Sequence, residues 1–202
     1  MKLLNADFVT SAAGADGIPR DEVPRIALAG RSNVGKSSLI NALCRAKIAR
    51  TSAAPGKTRL LNFYRITMEG GPGGPGRWGV YLVDLPGYGY ARGGDDSVEE
   101  LAAIAQAYYA ESEGSRATFL LVDSRHPQLQ ADSEAARWLS GLSVPYRIVA
   151  TKIDKLKRNE RAKNLKTLQN TLGMPALPVS AANGEGMDEL WRTIARLARS
   201  AE

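Results

Sequence analysis

One cysteine, one histidine and the lack of any long apolar run stand out first in this chain of 202 residues. The lone Cys44 cannot form an intrachain disulfide, and with the lone His126 it argues against a Cys/His zinc site. No apolar stretch reaches the roughly 20 residues that a membrane-spanning helix needs. Asn5 and Asp7 interrupt the one candidate leader, so a cytoplasmic location without a membrane partner is expected. Twenty Gly and ten Pro are too few for a low-complexity chain. What is present is 44% apolar and 24% charged, the balance of a globular protein long enough for one large domain or two small ones. Lys and Arg number 27 against 21 Asp and Glu, a net +6 that favours an anionic partner such as nucleotide or nucleic acid.

Short apolar runs alternate with helical periods. RIALAG (25–30), ATFLLVD (117–123), PYRIVATK (145–152) and MPALPVS (174–180) read as strands. LLNFYRITM (60–68) and RWGVYLVD (77–84) flank GGPGGPG (70–76), which predicts an antiparallel hairpin with a flexible tip. Helices are expected at 36–46, from Ser97 with its capping-box partner Glu100, at 131–142, at 160–172 and at the C-terminus around Leu190 and Ile194. The alternation predicts an α/β fold in three layers. Its sheet has six strands, mostly parallel with one antiparallel edge pair, and about five helices flank it.

GRSNVGKS (30–37) fits G-x-x-x-x-G-K-[ST], a phosphate-binding loop placed between a strand and a helix. Gly30 and Gly35 allow a tight turn whose N–H groups face phosphate oxygens, joined by Arg31, Ser32, Asn33, Val34 and Ser38. Lys36 would reach the β- and γ-phosphates at a helix N-terminus, and Ser37 would ligate Mg²⁺. DLPG (Asp84, Leu85, Pro86, Gly87) ends another strand, at the edge where such sheets bind ligands. Asp84 would hold Mg²⁺ through a water, and the Gly87 N–H would meet the γ-phosphate.

Two further strand ends suit a base. In TKID (Thr151, Lys152, Ile153, Asp154) the Asp154 carboxylate can accept from both the ring N–H and the amino group of guanine. The stem of Lys152 can cover the purine face. After Val179 and Ser180, the Ala181 N–H can donate to the guanine carbonyl, where adenine presents a donor instead. A site of this kind discriminates by about 10⁴.

The order GRSNVGKS, PGKT, DLPG, TKID, VSA resembles a translation-factor-class GTPase, in the TrmE-Era-EngA-EngB-septin-like group. ADFVTSA, PGKTRLLNFY, DLPGYGYA, DSRHP and TKIDKL are similar to the EngB (YihA/YsxC) family of bacterial ribosome-biogenesis GTPases, over nearly the whole chain. The resemblance implies GTP and Mg²⁺ binding, a role in large ribosomal subunit assembly through rRNA and ribosomal proteins, and a link to cell division and septation. It implies that Thr58, beside Gly56 and Lys57, is the switch residue that closes on Mg²⁺ when the γ-phosphate is present. Lys36, Thr58 and Gly87 are then the catalytic candidates. Asn33 either helps bind K⁺ or simply shapes the loop. Tyr88 stands where Ras-like enzymes carry a water-positioning Gln, so intrinsic hydrolysis is expected to be slow. Residues 152–166 hold seven Lys/Arg against Asp154 and Glu160. Of these, Lys155, Lys157, Arg158 and Arg161 are either an rRNA-facing patch or a solvated helix face. Residues 1–22 read as an N-terminal extension packing on one GTPase domain, 23–202, expected to be a monomer. The alternative is a nucleotide-gated ribosome-binding module with negligible hydrolysis.

Overall fold

A computed structural model describes residues 1–49, 60–88, 95–110, 115–142 and 145–199; for 95–102 and 115–116 only the backbone is described. Among the described residues, seven strands form one sheet: β1 (Lys2–Ala12), β2 (Arg25–Gly30), β3 (Leu61–Glu69), β4 (Arg77–Asp84), β5 (Ser115–Asp123), β6 (Tyr146–Thr151) and β7 (Ala176–Pro178). Their spatial order is β1-β3-β4-β2-β5-β6-β7. The neighbours from β4 to β7 run parallel, whereas β3 is antiparallel to both β4 and β1. Five α-helices among the described residues cover the sheet: α1 (Lys36–Cys44), α2 (Asp95–Ala110), α3 (Gln130–Ser140), α4 (Arg158–Leu172) and α5 (Met187–Arg199). α2 starts two residues ahead of Ser97, which therefore lies inside its first turn.

Alternation in the buried strands sorts the core onto two faces. Ala27, Tyr81, Val83, Leu120, Val122 and Ile148 face Ile104 and Tyr108 of α2, Leu139 of α3 and Leu168 of α4. Ile26, Leu28, Val80, Leu82, Phe119 and Leu121 face Leu39 and Leu43 of α1 and Leu190 and Ile194 of α5. β2 is buried at all six positions because it is covered on both faces and paired on both edges. Truncating a buried ring such as Phe119 to Ala would cost about 3–5 kcal/mol.

The strand missed in the sequence is β1. It pairs with β3 from Lys2↔Glu69 to Ala12↔Leu61, with register shifts between Leu3 and Asn5 and between Phe8 and Thr10. These irregularities break the period-2 pattern that marks a strand, and they also blunt an exposed sheet edge. Phe8 is half exposed and makes an edge-on contact with Tyr64 at 5.8 Å.

The Gly/Pro tip of the β3–β4 hairpin has contacts that a free loop would lack. Arg199 of α5 donates to the carbonyls of Gly74 and Gly73 at 2.9 and 2.7 Å. Trp78 Nε1 donates to Gly70 O at 3.0 Å, and its ring stands edge-on to Trp191.

Parallel pairing brings the strand ends to one edge of the sheet. Leu28 is opposite Asp84, Gly30 opposite Leu121, Asp123 opposite Thr151, and Ala150 opposite Pro178. GRSNVGKS, DLPG, DSRHP, TKID and the 179–181 turn each lie at one of these ends.

Candidate nucleotide-binding site

The loop after β2 turns through two left-handed positions, Asn33 at φ 62° and Gly35 at φ 115°. Gly35 then caps α1, which starts at Lys36. Gly30 is fixed by close approach, because a Cβ there would lie 2.8 Å from the Leu121 carbonyl oxygen. The buried Lys36 Nζ donates to the carbonyls of Gly30 at 3.0 Å and Arg31 at 3.4 Å. Burial lowers its pKa from the ordinary value, and the nearby Asp84 opposes that shift. The Lys36 amine thus sits against the carbonyls of the loop's first two residues, in buried surroundings where each charge interaction is strengthened.

Asp84, at the end of β4, is 5% exposed. Burial pushes its carboxyl up to about 6, against the pull of Lys36 and the Ser37 hydroxyl. Ser37 Oγ donates to Oδ2 at 3.5 Å, whereas the buried Oδ1 has no hydrogen-bond partner among the described residues. An orphaned carboxylate oxygen beside a serine hydroxyl fits Mg²⁺, a hard cation that takes oxygen ligands. Among the described residues no three His, Cys, Asp or Glu cluster to hold a metal. The rest of a cation's shell would come from phosphate and water, as is usual for Mg²⁺.

Gly87 lies against the phosphate loop. A Cβ on it would stand 2.9 Å from the Ser32 nitrogen and 3.0 Å from Lys36 Nζ. Ser32 N–H donates to the Tyr88 carbonyl at 2.9 Å, and Ser32 Oγ to that of Gly87 at 3.3 Å. The Tyr88 side chain turns to α3, where its hydroxyl donates to Asp132 Oδ1 at 3.0 Å.

The ends of β6 and β7 carry the residues expected from the sequence to meet a base. The Thr151 hydroxyl donates to the Val34 carbonyl at 2.8 Å, with the Val122 carbonyl at 3.1 Å as the alternative acceptor, which ties β6 to the phosphate loop. Lys152 takes φ 60°, and its Nζ donates to Asn33 O at 2.7 Å and Asp123 Oδ2 at 2.9 Å. Ser180 Oγ donates to Asp154 Oδ1 at 2.7 Å. That bond first, with the Lys155 ammonium adding to it, holds Asp154 below the ordinary carboxylate value and so ionised at neutral pH. The Ile153 N–H donates to Val179 O at 3.4 Å, joining the two base-side turns through their backbones. Buried Cys44 has its thiol pushed up to about 12 by burial, which makes it inert packing.

Gly56, Lys57 and Thr58 lie outside the described residues. Lys155, Lys157 and Arg158 are exposed, with Lys155 Nζ 3.5 Å from Asp154 Oδ2. Arg161 differs from them, since its guanidinium is turned inward to Ile153 and Glu185. Two further groups were not assigned from the sequence. Asp123 receives two side-chain hydrogen bonds from Arg125, at 2.9 and 2.7 Å, besides that of Lys152. Burial alone would raise its carboxyl, but these bonds overcome burial and hold it well below the ordinary range. Asp132 is the other, hidden in a helix whose pattern shows only which face is apolar. The signal for Asp123 was its place at a strand end on the same edge as Asp84.

A family described as 50S ribosome-binding GTPase matches residues 25–152. The probable GTP-binding protein EngB of Solibacter usitatus is 41% identical over 195 residues, covering 96% of either chain. That of an Exiguobacterium species is 40% identical over 207 residues and the whole of both chains. The chain belongs to the EngB family of GTP-binding proteins. Its fold is that of the P-loop GTPases. A solved structure of a probable GTP-binding protein EngB superposes with TM-score 0.66 at 25% identity, over 87% of this chain and 98% of the other. Era, solved with MgGDPNP and nucleotides 1506–1542 of 16S ribosomal RNA, gives 0.68 at 23% identity, over 89% and 58%, a likeness of fold alone. No helix among the described residues is long and apolar enough to cross a membrane.

Proposed function

We propose that this EngB-family chain binds GTP with Mg²⁺, hydrolyses it slowly to GDP and phosphate, and times a step of large ribosomal subunit assembly with its nucleotide state. Normal cell division and septation would depend on that step. The observation that carries the reading is the meeting of Lys36, Ser37 and Asp84 at one sheet edge with Asp154 and Ser180. Lys36 and the loop amides from Gly30 to Ser38 hold phosphate charge. Ser37 and Asp84 hold Mg²⁺, with Thr58 joining when GTP is bound. Mg²⁺ would supply positive charge at the phosphate oxygens. The Gly87 N–H meets the γ-phosphate, Asp154 accepts from guanine, and the Ala181 N–H donates to its carbonyl. The kinship with 50S ribosome-binding GTPases supports the ribosomal partner. The exposed Lys155, Lys157 and Arg158 give that partner a basic face toward rRNA. β1 is paired into the same sheet as the other strands, so the N-terminal residues are part of a single GTPase domain and not an extension packed on a domain 23–202, and the protein works as a cytoplasmic monomer.

The low rate follows from Tyr88, which has no amide to orient water and engages α3 instead. K⁺ near Asn33, or a group from the ribosomal precursor, would supply the missing charge. The same tyrosine favours a second reading, a ribosome-binding module in which hydrolysis is negligible. Three measurements test the proposal: GTP, GDP and ATP titrations, co-sedimentation with large-subunit precursors in each nucleotide, and single-turnover hydrolysis in K⁺ and Na⁺. ATP bound as tightly as GTP would refute it. No turnover under any condition, with binding to precursors only in GTP, would select the second reading.

A further inference from the structure

We infer that Arg161 is a positioning residue for guanine recognition, clasping the two turns that read the base; this rests on the guanine reading above. Its Nη2 donates to the Ile153 carbonyl at 3.1 Å, and its Nη1 pairs with the Glu185 carboxylate. Ile153 opens the short turn that carries Asp154. The Glu185 carbonyl accepts the Ser180 N–H at 2.9 Å, and Ser180 Oγ donates to Asp154 at 2.7 Å. A ring therefore closes through Arg161, Ile153, Asp154, Ser180 and Glu185. Arg161 lies in the first turn of α4, where Lys157 N–H donates to Glu160 at 2.8 Å and fixes the start of the helix.

Guanine must meet the Asp154 carboxylate and the Ala181 N–H at the same time, one from each turn. The ring sets the distance between those two groups without touching the base. A guanidinium suits the task because its fork serves two acceptors in one geometry, which an ammonium on a flexible stem does not. The side chain is 29% exposed, and its two partners draw it away from solvent. That makes Arg161 unlike Lys157 and Arg158, although all three fall in the same basic run.

The test compares affinities of the full chain for GDP, IDP and ADP. IDP lacks the 2-amino group, so it reports whether Asp154 is still aligned to take the second hydrogen bond. Arg161→Ala is expected to weaken GDP about tenfold and IDP less, so that the GDP:IDP preference shrinks. Glu185→Gln, which leaves Arg161 in place but weakens the clasp, should shrink the preference in the same direction. Arg161→Lys should recover part of it. A wild-type GDP:IDP preference in both Arg161→Ala and Glu185→Gln overturns the inference. ADP bound by the wild type as tightly as GDP would instead overturn the guanine reading beneath it.

Discussion

The Tyr88 hydroxyl donates to Asp132 Oδ1 at 3.0 Å while the Tyr88 carbonyl accepts the Ser32 N–H at 2.9 Å. One residue so fastens the phosphate loop to α3. Burial, and then the charge of Asp132, pushes the phenol's pKa far up, so it stays a donor. Asp132 Oδ2 is buried and has no partner among the described residues. Tyr88→Phe would leave the carboxyl without this donor as well. The expected cost is about 1–3 kcal/mol, read as a lower urea midpoint at constant m. Single-turnover hydrolysis should stay within about twofold, since the hydroxyl faces α3, away from the phosphates; a tenfold loss of rate, about 1.4 kcal/mol in the barrier, would contradict that.

Gly87→Ala should act on the triphosphate and also strain the phosphate loop. The added methyl would press on the Ser32 backbone at 2.9 Å, and Ser32 lies in the phosphate loop. GTP affinity should fall about tenfold or more, with GDP affected less. Equal losses for the two nucleotides in a competition titration would show that Gly87 does not sense the γ-phosphate. At Gly30 the methyl would meet the Leu121 carbonyl at 2.8 Å inside the sheet. Gly30→Ala should therefore lower the melting temperature, through the sheet rather than through the loop.

Asp123 sets an acid limb of stability. Hydrogen bonds from Arg125 and Lys152 hold its folded pKa below the ordinary 3.8. Its stabilising contribution is thus complete above about pH 4 and fades as pH falls below that value. Asp123→Asn should lower stability at pH 7 by about 1–3 kcal/mol and flatten the decline between about pH 4 and pH 2. Urea midpoints at a series of pH values check both effects. An unchanged acid limb would mean that other carboxylates govern it.

Legibility varied with the distance over which each signal acts. The places of GRSNVGKS, Asp84 and Asp154 at strand ends were readable because each is a short string at the end of an apolar run. Chain order then put the strand ends on one edge. β1 was not readable, because bulges near Leu4 and Val9 upset its alternation and Asn5 and Asp7 gave it a loop's polarity. Arg161 resembled its basic neighbours in sequence. Its role depends on Glu185, 24 residues away, and no local pattern reports such a partner. The inward turn of Tyr88 likewise depends on a carboxylate 44 residues further on.

Asp154 and Ser180 should be separable in the base site. Asp154→Asn replaces an acceptor that guanine needs with an amide, and specificity for GTP over ATP should fall by about 10² or more. Xanthosine nucleotides, whose base reverses the demand, should bind the variant better than the wild type does. Ser180→Ala removes the first of the bonds that keep Asp154 ionised and placed. It should weaken GTP binding by about 1 kcal/mol and shrink the GDP:IDP preference, as opening the Arg161 ring does, while guanine stays favoured over adenine. Xanthosine triphosphate that binds Asp154→Asn no better than wild type would remove Asp154 from the base site.

The exposed cations at the start of α4 give the last prediction. Lys157 and Arg158 are exposed beside the base turn, whereas Arg161 is engaged with Ile153 and Glu185. Reversing the charge of Lys157 and Arg158 alone should therefore weaken binding to large-subunit precursors and spare GTP affinity. If both cations meet RNA phosphates, their loss should make the log–log salt dependence shallower by about 1.4–1.8, at 0.7–0.9 per contact. Reversing Arg161 as well would confuse the result, because guanine affinity would fall for a separate reason. The measurement is precursor co-sedimentation from about 50 to 200 mM salt, the range over which phosphate contacts lose most of their strength. It should be made in saturating GTP, so that nucleotide occupancy is equal in both proteins. A salt slope equal to that of the wild type would assign Lys157 and Arg158 to a solvated helix face.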